Sequence, residues 1–519
     1  MSSFSRPSIA SDTRSISEKS FKQETLVGTP SNDRSTSPTG QTDRKERSSP
    51  DVERGQSTAT QVETGWPAGW RPYAALTACF MLMFNSWGYV NAFGTFATLY
   101  HGQIIPGQGY LNINAIGGIE ILCILGFSCI TGRLVDASHQ AKVLTVGTVF
   151  LTAGMFAQAS VRGDLPSRAY NILMVAQGVL GGISMSCFFV TSSQVAGTWF
   201  KAKKALALGI VACGASVGGA VYSTVLKYLE LELGYMRAVL IIAAIMAATC
   251  IAIIFFARPK PTTENNPKFV WRLDTFWDKH ALQNSAFVWF SAGFALMFMG
   301  FYPIFFALEP WATQSKLGWR GEVRPEELPR DTLATFALLA IMNATSFTGR
   351  LASATLSQYV ARYRSGALHV HVVVTTIGAI LVFCMWPFVT TSKGAIAFVV
   401  LFGIFSGAII GLPAASVAHI IGNHNDAGQK KLGQWVGMMY TMAAVPGLAG
   451  ALVCGKLADV YPNTFLPVMM FCGTSLAIAT ICMAIGAWHK YQNEKREVDL
   501  RPRMHESESS STTMVDQTG

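Results

Sequence analysis

Apolar runs of membrane-spanning length recur twelve times between Arg71 and Trp488, six on either side of a polar stretch at 258–283. A helix that crosses a bilayer needs roughly 20 mostly apolar residues. The runs cover about 71–97, 112–134, 142–161, 169–194, 205–226, 237–257, 284–308, 332–356, 366–388, 394–421, 433–455 and 464–488. Backbone N–H and C=O groups find no water in hydrocarbon, so runs of this kind satisfy themselves as helices. The pattern predicts an all-α membrane protein of twelve transmembrane helices: an N-terminal six-helix bundle at 71–257, a cytosolic linker at 258–283 and a C-terminal six-helix bundle at 284–488. Two bundles of six around a central path is a layout expected of solute carriers.

The flanks read differently. Residues 1–70 and 489–519 are rich in Ser, Thr and charge. Such stretches bury too little apolar surface to fold, and both are expected to be disordered cytosolic tails. The first tail lacks the apolar core of a secretory signal, which leaves targeting to the first span.

Composition agrees with a lipid-facing surface. Half of the 519 residues are hydrophobic, 13% are charged and the mean hydropathy is +0.33, against about 25% charged in ordinary soluble domains. The net charge of +10 needs its placement read before its sign. Ten Lys/Arg lie up to Arg71, fourteen in the five inner loops and five in the C-terminal tail, but only ten in the six outer loops. That asymmetry puts both termini in the cytosol. Basicity here marks topology and some attraction to anionic inner-leaflet lipid, and gives no ground for a nucleic-acid partner. The ten cysteines all fall within spans, without CxxC or Cys/His ligand spacing, and read as small apolar fillers. There is no GxxxxGK[ST] or HExxH pattern, so neither ATP drive, nor enzymatic chemistry, nor a metal or other cofactor is expected.

Ionisable residues inside a membrane are costly and mark function by default. Two stand well inside the expected spans, Glu120 and Arg350. Glu120 has no charge of its own helix to pair with. An acid in a low-dielectric setting takes up a proton readily, which is what a proton carrier needs; the alternative is an outward-snorkelling or locally bonded carboxyl. Asn343, Ser346, Arg350, Ser353 and Ser357 recur at helical spacing and form one polar stripe. Facing the bundle interior, Arg350 would bind an anionic or hydrogen-bond-accepting solute; lower in the bilayer it would snorkel to the cytosolic surface. Asn91, Gln177 and Tyr302, together with Asn343, are the other candidate solute contacts, although buried amides also bond between helices without any ligand.

The loop after the second span reads Gly132-Arg-Leu-Val-Asp136 and resembles the signature loop of the major facilitator superfamily. The resemblance implies conformational gating by Gly132, Arg133 and Asp136. Gly349-Arg350 is similar to the corresponding place in the second half, with Gln358 about where the family keeps an acid. Trp87-Gly-Tyr-Val-Asn-Ala-Phe-Gly94, Trp199-Phe-Lys-Ala-Lys-Lys-Ala-Leu-Ala-Leu-Gly209 and Pro446-Gly-Leu-Ala-Gly450 resemble the monocarboxylate-transporter-like branch, especially its fungal members. This likeness covers nearly all of 65–488 and implies alternating access between two six-helix halves. Proton-coupled lactate carriers of that branch rely on a first-span lysine and an eighth-span aspartate; Asn91 and Ser346 stand there instead, while Arg350 is kept.

The expectation is therefore a multi-pass plasma-membrane carrier for a small organic solute, a metabolite or secondary metabolite, with export plausible and proton coupling through Glu120. An uptake carrier for a monocarboxylate or related organic acid is the alternative. A non-transporting solute sensor is the alternative of another class.

Overall fold

The computed structural model describes residues 66–161, 166–200, 203–261, 270–315, 317, 334–360, 366–422 and 431–515, without side chains at 273–274, 358 and beyond 496. The expected N-terminal tail up to residue 65 and the linker stretch 262–269 lie outside these residues.

Ten helices among the described residues are long and apolar enough to cross a membrane: Tyr110–Asp136, Gln140–Ala159, Pro166–Trp199, Lys204–Leu233, Tyr235–Phe256, Ser285–Gln314, Ala367–Phe388, Ser392–Gly411, Leu432–Val460 and Leu466–Arg496. They are the second to seventh and ninth to twelfth expected spans. The other two are helical as well, and each departs for a local reason. The first span is three pieces, Arg71–Asn85, Trp87–Asn91 and Phe93–Leu99. At its first break the Ser86 hydroxyl bonds back to the Leu82 carbonyl at 2.8 Å, a contact that bends helices. Broken backbone is tolerated at this depth because Ser86 to Phe93 are buried in protein rather than facing lipid. The eighth span, Thr335–Val360, is continuous, and its polar stripe lowers its hydropathy.

Capping chemistry sets several ends. The Asn284 side chain accepts the Ala286 and Phe287 N–H at 3.0 and 3.2 Å and starts the seventh span. Gly234 at φ +78° turns the chain directly from the fifth into the sixth, a backbone angle that favours glycine. The twelfth helix runs from Leu466 to Val515 through the segment expected to be disordered. A Lys490–Glu494 ion pair at 3.3 Å supports its first turn beyond the apolar run.

Spans 1–6 are taken as the first half of the chain and spans 7–12 as the second. The main seams between them set the second span against the eleventh and the fifth against the eighth, with the first against the seventh. Small residues make the seams close: a side chain at Gly118 would meet Leu448 and Ala451 at about 3 Å, and one at Gly219 would overlap the Asn343 amide.

Candidate functional site

A cavity of about 1070 Å³ opens between the halves on the side that carries the linker. The first half lines it with the end of the second span, the end of the fourth and the start of the fifth. The second half contributes the end of the eighth and tenth spans and the start of the eleventh. A smaller space of about 80 Å³ lies deeper, lined among others by Trp87, Phe298, Tyr302, Arg350 and Tyr440. Phe189, Ser193, Leu208, Gly411, Ala414 and Tyr440 line both, so the large cavity leads into the small one.

The far end is shut. Asp459 of the eleventh span bonds the N-terminus of the second, Phe93 packs on Phe306 with ring centroids 4.4 Å apart, and Tyr228 packs on Phe336 at 5.9 Å. One end open and the other closed is one of the two states that an alternating-access carrier needs.

Arg350 lines the small cavity. All five residues of its stripe are buried, at 5% exposure or less, so the stripe faces protein and Arg350 does not snorkel. Its Nη1 donates to the Ala212 carbonyl of the fifth span at 3.0 Å, a bond between the halves. Its Nε is buried without a hydrogen-bond partner, and no carboxylate among the described residues lies within ion-pair reach of it. A buried cation left this way favours an anionic or accepting ligand. One turn back, the Ser346 and Ser216 hydroxyls meet at 2.6 Å across the same seam.

Of the expected solute contacts, Arg350 and Tyr302 come together on the small cavity. Asn91, Asn343 and Gln177 line neither space, and each bonds elsewhere through one amide atom. Asn91 Nδ2 donates to the Ala215 carbonyl at 3.4 Å, Asn343 Nδ2 to Leu339 of its own helix at 3.0 Å, and Gln177 Oε1 accepts the Tyr100 hydroxyl at 2.6 Å. Gln177 belongs to a chain in the core of the first half: the Tyr89 hydroxyl donates to Gln158 at 2.8 Å, whose amide donates to Tyr100 at 2.7 Å. Glu120 is fully buried and faces the Gln177 side chain, with neither carboxyl oxygen in full hydrogen-bond geometry. It therefore does not snorkel, and it stands apart from both cavities.

Gly132, Arg133 and Asp136 line the mouth of the large cavity. Arg133 pairs with Asp136 at 3.3 Å, and Gln194 of the fourth span donates to both Asp136 and the Gly132 carbonyl at 3.2 Å. All these partners lie in the first half, as fits a mouth that is open.

Sequence reading missed a buried charged group at the closed end. Lys227 and Glu230 pair at 3.2 Å, each 8% exposed by side chain, and Glu309 is buried near both, facing Thr95. The expected spans stopped at residues 226 and 308, one short of Lys227 and of Glu309. The helices in fact run on to Leu233 and Gln314. The signal available was the continuing apolar periodicity past these charges.

The family model described as Major Facilitator Superfamily matches residues 75–429. The MFS-type transporter pynF of Aspergillus niger is 27% identical over 418 residues, covering 79% of this chain and 88% of that protein. The Aspyridones efflux protein apdF of Emericella nidulans is 27% identical over 407 residues, covering 78% and 75%. The Agnestins efflux protein AgnL12 of Paecilomyces divaricatus is 24% identical over 419 residues, covering 79% and 86%. Among solved structures, the nucleoside transporter NupG aligns with a TM-score of 0.57 at 13% identity, over 80% of this chain and 99% of its own. A bacterial homologue of the human lysosomal transporter Spinster aligns at 0.53 and 12%, over 82% and 97%. Both show the shared fold.

Proposed function

The chain belongs to the Major Facilitator Superfamily, and on that premise we propose that it is a secondary active transporter that exports a small organic metabolite by alternating access. The observation that carries this reading is the Arg350 site between the halves, reached from the linker side and sealed at the other. With the linker and termini in the cytosol of a plasma-membrane protein, as the lysine and arginine asymmetry favours, this is the cytosol-facing state. Efflux proteins of fungal secondary metabolites among the relatives support export.

Binding and rocking are linked through Arg350. An anionic solute that takes its guanidinium competes with the Ala212 carbonyl, and so loosens a bond that holds the fifth span to the eighth. At the mouth, Gly132, Arg133 and Asp136 act as the gate, with Gln194 holding Asp136 while the mouth is open.

Proton coupling is assigned first to Glu120. It is a fully buried carboxyl within a membrane span, the kind of position that proton relays use. A second reading places the proton on Glu309, favoured by its position between the halves, where rocking changes its surroundings. An organic-acid uptake carrier of monocarboxylate-porter type is the second reading for direction, favoured by Arg350 itself.

The experiment is flux in proteoliposomes carrying the full chain, with and without a pH gradient, using metabolite extracts of the producing organism as cargo. Net accumulation of specific metabolites supports export. Solute retained on the protein with no flux would instead identify a sensor.

A further inference from the structure

Six aromatic rings join in a closed circuit of contacts along one wall of the Arg350 site, with Trp87 also meeting Phe298 across it at 6.2 Å. Trp87 contacts Phe189 at 5.5 Å, Phe189 contacts Tyr440 at 5.1 Å and Tyr440 contacts Phe294 at 5.4 Å. Phe294 then meets Phe298 at 4.8 Å, Phe298 meets Tyr302 at 5.1 Å, and Tyr302 returns to Trp87 at 5.1 Å. Trp87 and Phe189 come from the first half, the other four from the second. All six line the small cavity, and Phe189 and Tyr440 stand where the large one enters it.

Packing alone asks for apolar volume, which leucine and isoleucine supply as well as rings do. A collar of aromatic side chains along a cavity wall adds something they cannot. Ring faces and edges interact with another π-system beyond simple burial, at spacings near 5 Å. The orientations offer both: Phe189 stands edge-on to Trp87 and to Tyr440, at 89° and 84°, whereas Tyr302 lies at 30° to Trp87. On the wall of the same cavity, Arg350 presents a buried Nε without a partner.

Resting on the transporter reading above, we propose that the collar is the selectivity element, and that the cargo is a planar conjugated ring system bearing an anionic or strongly accepting oxygen. The ring enters from the large cavity and wedges between the rings of the two halves, which part to admit it because about 80 Å³ is less than a two-ring solute fills, and its oxygen reaches Arg350. Rings shared by the two halves make the same contacts conformation-dependent, since rocking draws Trp87 and Phe189 away from the four rings opposite. A saturated solute of equal charge and size keeps the burial and the Arg350 contact but loses the ring contacts. Two such contacts make a difference of about tenfold in affinity.

The test uses 2-naphthoate and its saturated counterpart, decahydro-2-naphthoate, as probes on the purified full chain. Binding is read by thermal stabilisation and flux by uptake into proteoliposomes. The expected result is a roughly tenfold preference for 2-naphthoate, reduced to about threefold in Trp87→Leu and in Phe298→Leu. Two separate collar positions guard against one variant failing to fold. Equal binding of the two acids to the wild type overturns the proposal, as does a preference undiminished in both variants, or an absence of binding by either acid. Preference in binding without any flux would sink the transporter reading and leave the collar standing. Flux of both acids without preference would do the reverse.

Discussion

The Asp459 carboxylate, near the end of the eleventh span, accepts the backbone N–H of Tyr110 at 2.6 Å and that of Leu111 at 2.9 Å. These are the first residues of the second span, whose opening N–H groups have no partner within their own helix. Asp459 thus caps a helix of the other half and ties the closed end shut. A side chain on Gly109 would run into the same carboxylate, at 2.6 to 2.9 Å.

Asp459→Ala should therefore shift the protein towards the state open at that end. A lost cap costs about 1 kcal/mol, or about a fivefold change in the ratio of the two states. Alkylation of a cysteine placed at Gln108 measures this: faster labelling in the Asp459→Ala background is expected, and Gly109→Ala should act in the same direction. Unchanged labelling in both would leave Asp459 as a passive cap.

Arg350 is expected to be the residue whose loss most weakens solute binding. Arg350→Ala should reduce affinity at least about tenfold, because a charge-assisted contact in a desolvated site is worth roughly 1.5–3 kcal/mol. Arg350→Lys should fall between, since an ammonium lacks the planar fork that serves the Ala212 carbonyl and a solute together. Competition counterflow gives both affinities. Wild-type affinity in Arg350→Ala would reduce this side chain to a tie between the halves.

Two buried carboxyls compete for the proton role, and paired variants separate them. Glu120→Gln should abolish the dependence of flux on a pH gradient while leaving gradient-free exchange intact. If Glu120→Gln keeps that dependence and Glu309→Gln loses it, the role belongs to the closed-end group beside Lys227 and Glu230. Flux that ignores the gradient in the wild type removes proton coupling altogether.

Where the linker reaches the second half, Asp278 accepts from the Trp435 indole at 3.1 Å, from Lys431 at 3.0 Å and from the His280 N–H at 3.1 Å. Burial works against its charge, yet these hydrogen bonds and the Lys431 charge together hold the carboxyl below its ordinary value. A depressed pKa in the folded state means stability that is present above the unfolded value, near 3.9, and lost as pH falls through the folded one. Protease cleavage of the linker should thus be slow and flat from pH 8 to 5 and accelerate below about 4. Asp278→Asn should be cut faster from pH 8 to 5, with variant and wild type converging as pH falls below about 4. Equal cleavage of variant and wild type at pH 7 would dismiss the clamp.

The spans could be read from the sequence because lipid imposes one rule on every residue that meets it, so apolar length alone predicts a crossing. The same rule made the stripe through Asn343, Ser346, Arg350, Ser353 and Ser357 legible as an inward face, and all five are buried. It did not distinguish which polar groups meet a cavity. Arg350 and Tyr302 do, whereas Asn91, Asn343 and Gln177 bond to Ala215, Leu339 and Tyr100. Packing between helices decides that, and it leaves no trace in the spacing of a single run. Nor did apolar length show that Lys227, Glu230 and Glu309 are enclosed, since charges near a helix end look the same whether water or protein covers them.

By itself, then, the sequence determined a twelve-span membrane protein with a charge bias between its two faces, because transfer from water to hydrocarbon depends on composition and run length. Only the tertiary structure decided which end is open, that Asp459 closes the other, and that six rings from four spans meet beside Arg350. Those are contacts between residues up to several hundred positions apart, and packing, rather than local preference, brings them together.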